Sequence, residues 1–327
     1  MISVIMSVYK EPVVWITKSI NSILHQTYDD FEFIIVCDNP DGDTTKECLN
    51  YFANSDKRIK IIWNDVNIGL TKSLNKALAV ANGEYIARMD ADDIADIHRF
   101  EKQIEILKRG EKFVYSGIDY INENGNKIKG ISVSDKFSES DFFIFNCIAH
   151  PTVIFESSLL KLRHPFYNES FKRSQDYELW AFLFLNDVHL TKIKETLLHY
   201  RISQSQITNK NRSEQKSDFE TIRINLIFNY LQKKGYQIDC SKTDSNLLFS
   251  IYNQLVENKQ LIFEDGAIRS IYYLVCYTLI PTNKSLLWNF LNITAIKNYG
   301  IRRIVYVLLR AFRLKLIPFY LIKSEFV

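Results

Sequence analysis

The strongest constraint on the fold is the alternation of short apolar runs with amphipathic segments over residues 1–130. The runs have the length and β-branched content of buried strands, and apolar residues at helical spacing lie between them. This βαβαβαβ order predicts a parallel sheet with helices on both faces, because parallel strands need a long crossover. The predicted strands are Ile2–Val8, Phe31–Cys37, Ile59–Trp63 and Glu84–Met89, and the predicted helices are Val13–His25, Thr44–Ala53 and Leu70–Ala81.

Composition excludes several other classes of protein. The 327 residues are 46% hydrophobic and 24% charged, with a net charge of +3, which is ordinary for a globular chain. The N-terminal half shows no basic stripe, so no nucleic-acid partner is expected. Five cysteines without a CxxC pair favour a reducing cytoplasm over a disulfide framework or a zinc site. The N-terminus lacks the features of a signal peptide, and no stretch is long and apolar enough to predict a transmembrane helix.

An acidic cluster, Asp90-Ala-Asp-Asp93, directly follows the fourth predicted strand. Parallel α/β sheets bind ligands at the carboxyl ends of their strands. Crowded carboxylates repel one another unless a cation is present, and hard oxygen ligands suit Mg²⁺ or Mn²⁺, which also hold substrate phosphates. The alternative interpretation is an acidic N-cap for a helix that begins near Ile94.

The second half of the chain carries weaker signals. Asn124-Gly125 predicts a hairpin, and Asp176–Leu185 has the pattern of a helix. The polar residues 203–217 are interpreted as a loop or linker, and helical patterns dominate from about Asp218. Residues 297–323 combine apolar and basic residues on a helical wheel, which is typical either of a helix at a membrane surface or of one packed on another domain.

Six segments carry a resemblance to a known family, in this order along the chain: Ser3–Glu11, Phe33–Asp41, Asn67–Ala77, Asn82–Ile86, the DxD at Asp90–Asp93, and Ser174–Trp180. In these segments the chain resembles a family 2 glycosyltransferase with the GT-A fold, of the inverting type found in bacterial polysaccharide synthesis. The resemblance implies a GT-A catalytic domain over residues 1–208, with a nucleotide-sugar half at about 1–96 and an acceptor half at about 97–208. Residues 209–327 then form a helical appendage.

The resemblance also implies a set of donor-binding residues. Tyr9 and Glu11 would line the uracil and ribose pocket, and Asp38 would hydrogen-bond the nucleobase or the ribose. Arg88 would help to hold the nucleotide. Asp90 would face the ribose or the metal.

The metal and the acceptor are assigned in the same way. Asp92, with Asp90, would bind Mn²⁺ or Mg²⁺ and through it the diphosphate, and Asp176 would be the catalytic base. His150 and Trp180 are weaker expectations for the acceptor side. Ser203 stands where many relatives have a histidine that completes metal binding, so the resemblance leaves the third ligand open.

Each of these residues also has a structural interpretation. Asp176 could be a helix N-terminal residue stabilised by the dipole, and Tyr9 a core aromatic at a strand end. Asp38 could form a turn, and Arg88 could neutralise carboxylates. His150 could be a packed core histidine.

The function that the resemblance implies is metal-dependent, inverting transfer of a sugar from a UDP-sugar to a hydroxyl of a glycan acceptor. A polyprenyl-diphosphate-linked acceptor, capsule or O-antigen synthesis, and a location in the cytoplasm or on the inner face of the cell membrane belong to the same expectation. One alternative is a sugar-phosphate nucleotidyltransferase, but Ser7–Pro12 lacks the glycine-rich phosphate loop such an enzyme needs. A non-catalytic nucleotide- or glycan-binding protein is the other alternative.

Overall fold

The structure is a computed structural model that describes residues 1–132, 142–143, 145–203, 212–237, 244–257, 265–279 and 286. The chain divides into two compact units. The first unit comprises residues 1–135 with 148–222, and the second comprises residues 136–147 with 223–327. The boundary predicted after residue 208 stays a prediction.

The N-terminal part of the first unit confirms the predicted alternation, with bounds that agree to within a residue or two. Strand β1 pairs in parallel with β2 and β4, and β2 pairs in parallel with β3. Strands β2 and β4 are buried throughout, and β1 nearly so, which explains why most of their residues are apolar. The elements are β1 (Ile2–Val8), α1 (Val13–Leu24), β2 (Phe31–Cys37), α2 (Asp43–Ser55), β3 (Ile59–Trp63), α3 (Leu70–Ala79) and β4 (Tyr85–Arg88).

The remainder of the first unit adds strands to this sheet by both parallel and antiparallel pairing. Strand β8 is antiparallel to both β4 and β6, whereas β9 is parallel to β6 and antiparallel to β5. The order across the sheet is β3-β2-β1-β4-β8-β6-β9-β5, with β7 beside β6. The elements are β5 (Ile94–Ala95), α4 (Arg99–Leu107), β6 (Phe113–Ile121), β7 (Lys127–Ser132), β8 (Ile154–Glu156), α5 (Gln175–Leu185) and β9 (Thr191–Arg201).

The predicted hairpin joins β6 and β7. The carboxamide oxygen of Asn122 accepts hydrogen bonds from the amides of Asn124 and Asn126, at 3.1 and 2.9 Å. Gly125 has a φ of +91°, a left-handed conformation that glycine adopts without strain. The Asn-Gly pair therefore specifies this turn as the sequence predicts.

The interpretation of the polar stretch 203–217 as a loop or linker is wrong for residues 212–217, which begin helix α6 (Arg212–Lys233). Residues 204–211 lie outside the described residues. Glu214, Gln215 and Lys216 are good helix formers, and Ile222 is buried. Polarity indicates solvent exposure here, not irregular backbone.

In the second unit, α7 (Asp244–Glu257) and α8 (Gly266–Leu279) pack against each other. Tyr252 and Tyr272 stack with ring centroids 6.1 Å apart. Helices therefore confirm the helical pattern of this region, while residues 297–323 lie outside the described residues. Among the described helices, none combines the length and apolar character needed to cross a membrane.

Candidate active site

The site is built at the edge of the sheet where the parallel strands end. Tyr9 and Glu11 follow β1, Asp38 follows β2, and the acidic loop Asp90–Asp93 follows β4. Since β1, β2 and β4 are parallel neighbours, the loops that follow them meet at one edge. The topology thus brings together the residues that the sequence assigns to donor binding.

Three carboxylates of the acidic loop converge. Asp90, Asp92 and Asp93 each offer an oxygen, and these oxygens lie within 4.8 Å of one another. The loop is held from two sides: Ser19 Oγ donates to the Asp90 carbonyl at 2.7 Å, and the Arg201 amide donates to Asp93 Oδ1 at 2.8 Å. Residues 94–95 form strand β5, and helix α4 begins only at Arg99. The N-cap interpretation of the cluster is therefore wrong.

The electrostatics of the loop show why it suits a cation. Burial, followed by the charges of Asp90 and Glu11, raises the pKa of Asp92 to about 7. Burial and the neighbouring Asp92 and Asp90 raise the pKa of Asp93 well above its ordinary value. Asp93 Oδ2 is buried and has no hydrogen-bond partner among the described residues. A divalent cation would stabilise the ionised carboxylates and would give Asp93 Oδ2 a partner, so the donor set fits Mg²⁺ or Mn²⁺.

Two buried arginines lie behind this loop. Arg88 forms an ion pair with Asp90 Oδ1, and the guanidinium of Arg99 donates to the carbonyls of Arg88 and Val153 at 2.9 and 3.3 Å. Burial, with the charge of Arg88, lowers the pKa of Arg99 to about 9. Sequence reasoning missed Arg99, which lies on the buried face of α4 with Phe100 and Gln103. Its Nε donates to Gln103 Oε1 at 3.0 Å.

Tyr9 and Glu11 lie beside the acidic loop. Tyr9 is 39% exposed, so it is not the core aromatic that a structural interpretation would make it. Glu11 accepts a hydrogen bond from the Tyr9 amide at 2.7 Å. Burial raises the pKa of Glu11, and the nearby Asp90 adds to the effect while Arg88 opposes it. Glu11 is thus a fourth acidic group near the cluster.

Asp38 is saturated by groups of its own chain. Its Oδ1 accepts from Asn64 Nδ2 and the Ile68 amide at 2.8 and 2.9 Å. Its Oδ2 accepts from Asn67 Nδ2 and the Gly69 amide at 3.0 and 2.8 Å. Because a carboxylate offers about four acceptor positions, this side chain fixes the loop before α3. A contact to the nucleobase stays a prediction.

Asp176 lies in the first turn of α5 and is half-buried. Its charge reaches Tyr167: burial raises the pKa of Tyr167, Arg88 lowers it, and Asp176 and Asp90 raise it further. Asp176, Arg88 and Asp90 thus all lie close enough to Tyr167 to act on its pKa. Sequence reasoning missed this tyrosine. Glu178, two residues along, instead forms a two-pronged ion pair with Arg163 at 2.6 and 2.8 Å.

The two residues predicted for the acceptor side are buried. His150 Nε2 lies 2.8 Å from Tyr167 Oη, and burial with the nearby Arg88 lowers the pKa of His150 well below its ordinary value. Trp180 has no exposed surface and packs edge-on against His150 at 5.7 Å. In this structure His150 contacts Tyr167, and Trp180 packs against His150. A contact of either residue with an acceptor stays a prediction.

A mixed sheet of this order, with an acidic DxD loop at the carboxyl edge of its parallel half, is the arrangement of the GT-A fold. The fold matches that of a Staphylococcus aureus TarS fragment, residues 1–349, solved with UDP-GlcNAc: the TM-score is 0.56 at 16% identity, over 99% of this chain and 90% of that one.

Sequence comparison identifies the family. The model of glycosyl transferase family 2 matches residues 3–169. The O-antigen biosynthesis glycosyltransferase WbnJ of Escherichia coli is 36% identical over 66% of this chain and 83% of its own length. The UDP-Glc:alpha-D-GlcNAc-diphosphoundecaprenol beta-1,3-glucosyltransferase WfgD of the same species is 32% identical over 71% of this chain and 92% of its own. The chain belongs to glycosyl transferase family 2 and is a glycosyltransferase.

Proposed function

We propose that this protein transfers a sugar from a UDP-sugar to a hydroxyl of a glycan acceptor, with inversion at the anomeric carbon and with the help of a divalent cation. The observation that carries the proposal is the convergence of three carboxylates at the end of β4. Asp176 and Asp90 both act on the pKa of Tyr167, which supports one cleft shared by the acidic loop and the base.

Asp90, Asp92 and Asp93 would hold Mn²⁺ or Mg²⁺, and Glu11 adds negative charge beside them. The cation, when bound, supplies charge stabilisation for the departing diphosphate. Arg88 keeps Asp90 in place through their ion pair. Tyr9, exposed at the end of β1, would contact the uridine of the donor. Asp38 would support that pocket by fixing the loop before α3.

Asp176 would act as the general base. Its carboxylate would accept the proton of the acceptor hydroxyl while that oxygen attacks the anomeric carbon and the bond from that carbon to the UDP oxygen breaks. One displacement of this kind inverts the anomeric centre. General-base help contributes about 10²–10⁴-fold to such a step. Glu178 is committed to Arg163, which supports Asp176 as the base.

Relatives support the choice of donor and acceptor. TarS was solved with UDP-GlcNAc, and WfgD by its name uses UDP-Glc and an acceptor on diphosphoundecaprenol. WbnJ is named for O-antigen biosynthesis. We therefore propose a polyprenyl-diphosphate-linked glycan as acceptor, in bacterial O-antigen or capsule assembly, with the enzyme on the inner face of the cell membrane.

The test is a panel of UDP- and GDP-sugars incubated with the full chain, with Mn²⁺, Mg²⁺ or EDTA, scored for release of nucleoside diphosphate and for transfer to GlcNAc-diphosphoundecaprenol. We expect turnover with one or more UDP-sugars, loss of turnover in EDTA, and a product anomer opposite to that of the donor by NMR. Turnover that persists in EDTA would refute the metal dependence, and a product that retains the anomeric configuration would refute the single displacement.

A further inference from the structure

The strand β9 runs between two neighbours whose loops both belong near the site. Its pairing with β5 sets Ile94 opposite His199, and its pairing with β6 sets Ile121 opposite Arg201. The acidic loop precedes β5, and the tip of the β6–β7 hairpin, residues 122–126, follows β6. Arg201, the last residue of β9, therefore stands where the acidic loop and the hairpin tip meet.

The buried guanidinium of Arg201 bonds to both segments at once. Its Nε donates to the Asp92 carbonyl at 2.7 Å, and its Nη1 donates to the carbonyls of Asn122 and Glu123, each at 2.9 Å. The backbone amide of the same residue donates to Asp93 Oδ1 at 2.8 Å. One residue thus fixes both a carbonyl and a carboxylate of the acidic loop and ties them to the hairpin.

The hairpin tip is itself anchored, so it can serve as a fixed support. Trp15 Nε1 on α1 donates to the Glu123 carbonyl at 3.0 Å, and Lys18 Nζ donates to the Asn124 carbonyl at 3.4 Å. The Trp15 ring also lies 5.1 Å from the Arg201 guanidinium carbon, a stacking arrangement that suits arginine and not lysine.

We infer that Arg201 is a positioning residue that holds Asp92 and Asp93 in the geometry needed to bind a divalent cation, with the hairpin tip as its support. This inference rests on the proposed function for the identity of the cation site. Residues that orient metal ligands typically contribute about 10–100-fold to metal affinity.

The test is Arg201→Lys, which keeps the charge but cannot donate to three carbonyls from a planar group. Mn²⁺ binding is measured by electron paramagnetic resonance with saturating UDP and no acceptor. We expect the dissociation constant of Mn²⁺ to rise about 10–100-fold. The control is Arg58→Lys, because Arg58 also uses a half-buried guanidinium to bond Asp56 and the Leu24 carbonyl and to stack on Phe31. It should lower the melting temperature without changing the Mn²⁺ dissociation constant.

Hydrogen exchange without metal provides the second readout. In Arg201→Lys, amides of residues 90–96 and of residues 122–126 should both exchange faster. If Arg201→Lys does not fold, Trp15→Phe removes one anchor of the tip and should weaken Mn²⁺ binding in the same direction, by less. An unchanged dissociation constant, or faster exchange in only one segment, overturns the inference. If the wild type binds no Mn²⁺ with UDP, the proposed metal dependence fails, and exchange still decides whether Arg201 joins the two segments.

Discussion

Replacing Asp38 by asparagine should lower the free energy of unfolding, and the hydrogen bonds of Asp38 in the structure set the size of this loss. The amide nitrogen of an asparagine cannot accept, so two of the four donors lose their acceptor. The less costly orientation puts this nitrogen at the Oδ2 position, opposite Asn67 and the Gly69 amide. Asn67 is exposed and can turn its own amide, although this breaks the bond from its Nδ2 to the Asp38 carbonyl. The Gly69 N–H is then the donor without a partner.

A backbone N–H that loses its partner inside the protein costs about 1–3 kcal/mol. The two hydrogen bonds that remain lose about 1 kcal/mol each, because a neutral acceptor is weaker than a charged one. The lower cost of burying a neutral group offsets part of this. We expect a loss of about 2–4 kcal/mol in the free energy of unfolding, a large part of the roughly 5–15 kcal/mol of a typical protein.

The assay is urea unfolding of wild type, Asp38→Asn and Asp65→Asn, followed by tryptophan fluorescence. Asp65 is an exposed aspartate in the same loop, so its substitution should change stability by less than about 0.5 kcal/mol. A loss below about 1 kcal/mol for Asp38→Asn, or one equal to that of the control, would refute the reasoning from hydrogen bonds. Calorimetry with UDP on the folded variants then tests the predicted contact between Asp38 and the nucleobase. If the contact exists, Asp38→Asn should bind UDP more weakly than the wild type.

Four further predictions concern the site and the C-terminal region. Asp176→Asn should keep UDP affinity and lose about 10²–10⁴-fold in kcat, whereas Glu178→Gln should mainly lower the melting temperature; normal turnover in Asp176→Asn removes the base assignment. Asp92→Ala should abolish metal-dependent UDP binding, and unchanged calorimetry would contradict the role of the ion. Because the raised pKa of Asp92, about 7, lets the folded state hold a proton that the unfolded state releases, the metal-free wild type should lose stability relative to Asp92→Asn as pH rises from about 4 to 7; parallel pH profiles would refute this. Deleting residues 297–327 should move protein from the membrane to the soluble fraction, and an unchanged distribution would count against the interfacial helix.

The parallel half of the fold was predictable because three of its four strands, β1, β2 and β4, are almost wholly buried and are therefore rich in apolar residues. Ile2–Val8 is one such strand, since both its neighbours and the helices cover it. The place of the antiparallel strand β8 in the sheet was harder to predict, because the strand is three residues long and follows a 3-10 turn at His150–Thr152. Its position between β4 and β6 depends on contacts between residues far apart in the sequence, which periodicity does not record.

The site was predictable to the same extent. The acidic cluster has a local signature, but the groups that set its geometry do not. Arg201 lies about a hundred residues after Asp92, and Arg99 reaches Val153 from another element. Tyr167 has no motif of its own; Asn75 on α3 fixes its backbone by donating to the Tyr167 carbonyl and accepting from its amide, both at 2.9 Å. These residues act through tertiary contacts that only the folded chain defines.

Arg88 raises the question of whether the acidic cluster needs a cation at all, since a buried arginine could neutralise it. The balance of charge favours the proposed cation. Arg88 is one positive charge and is paired with Asp90, while Asp92, Asp93 and Glu11 all keep raised pKa values despite its presence. Arg99 lies deeper and bonds to carbonyls instead of carboxylates. Arg201 also lies against the loop, but its guanidinium bonds to the Asp92 carbonyl and not to a carboxylate. Three arginines thus accompany four acidic groups, and this imbalance supports the proposal that a divalent cation binds here with a diphosphate.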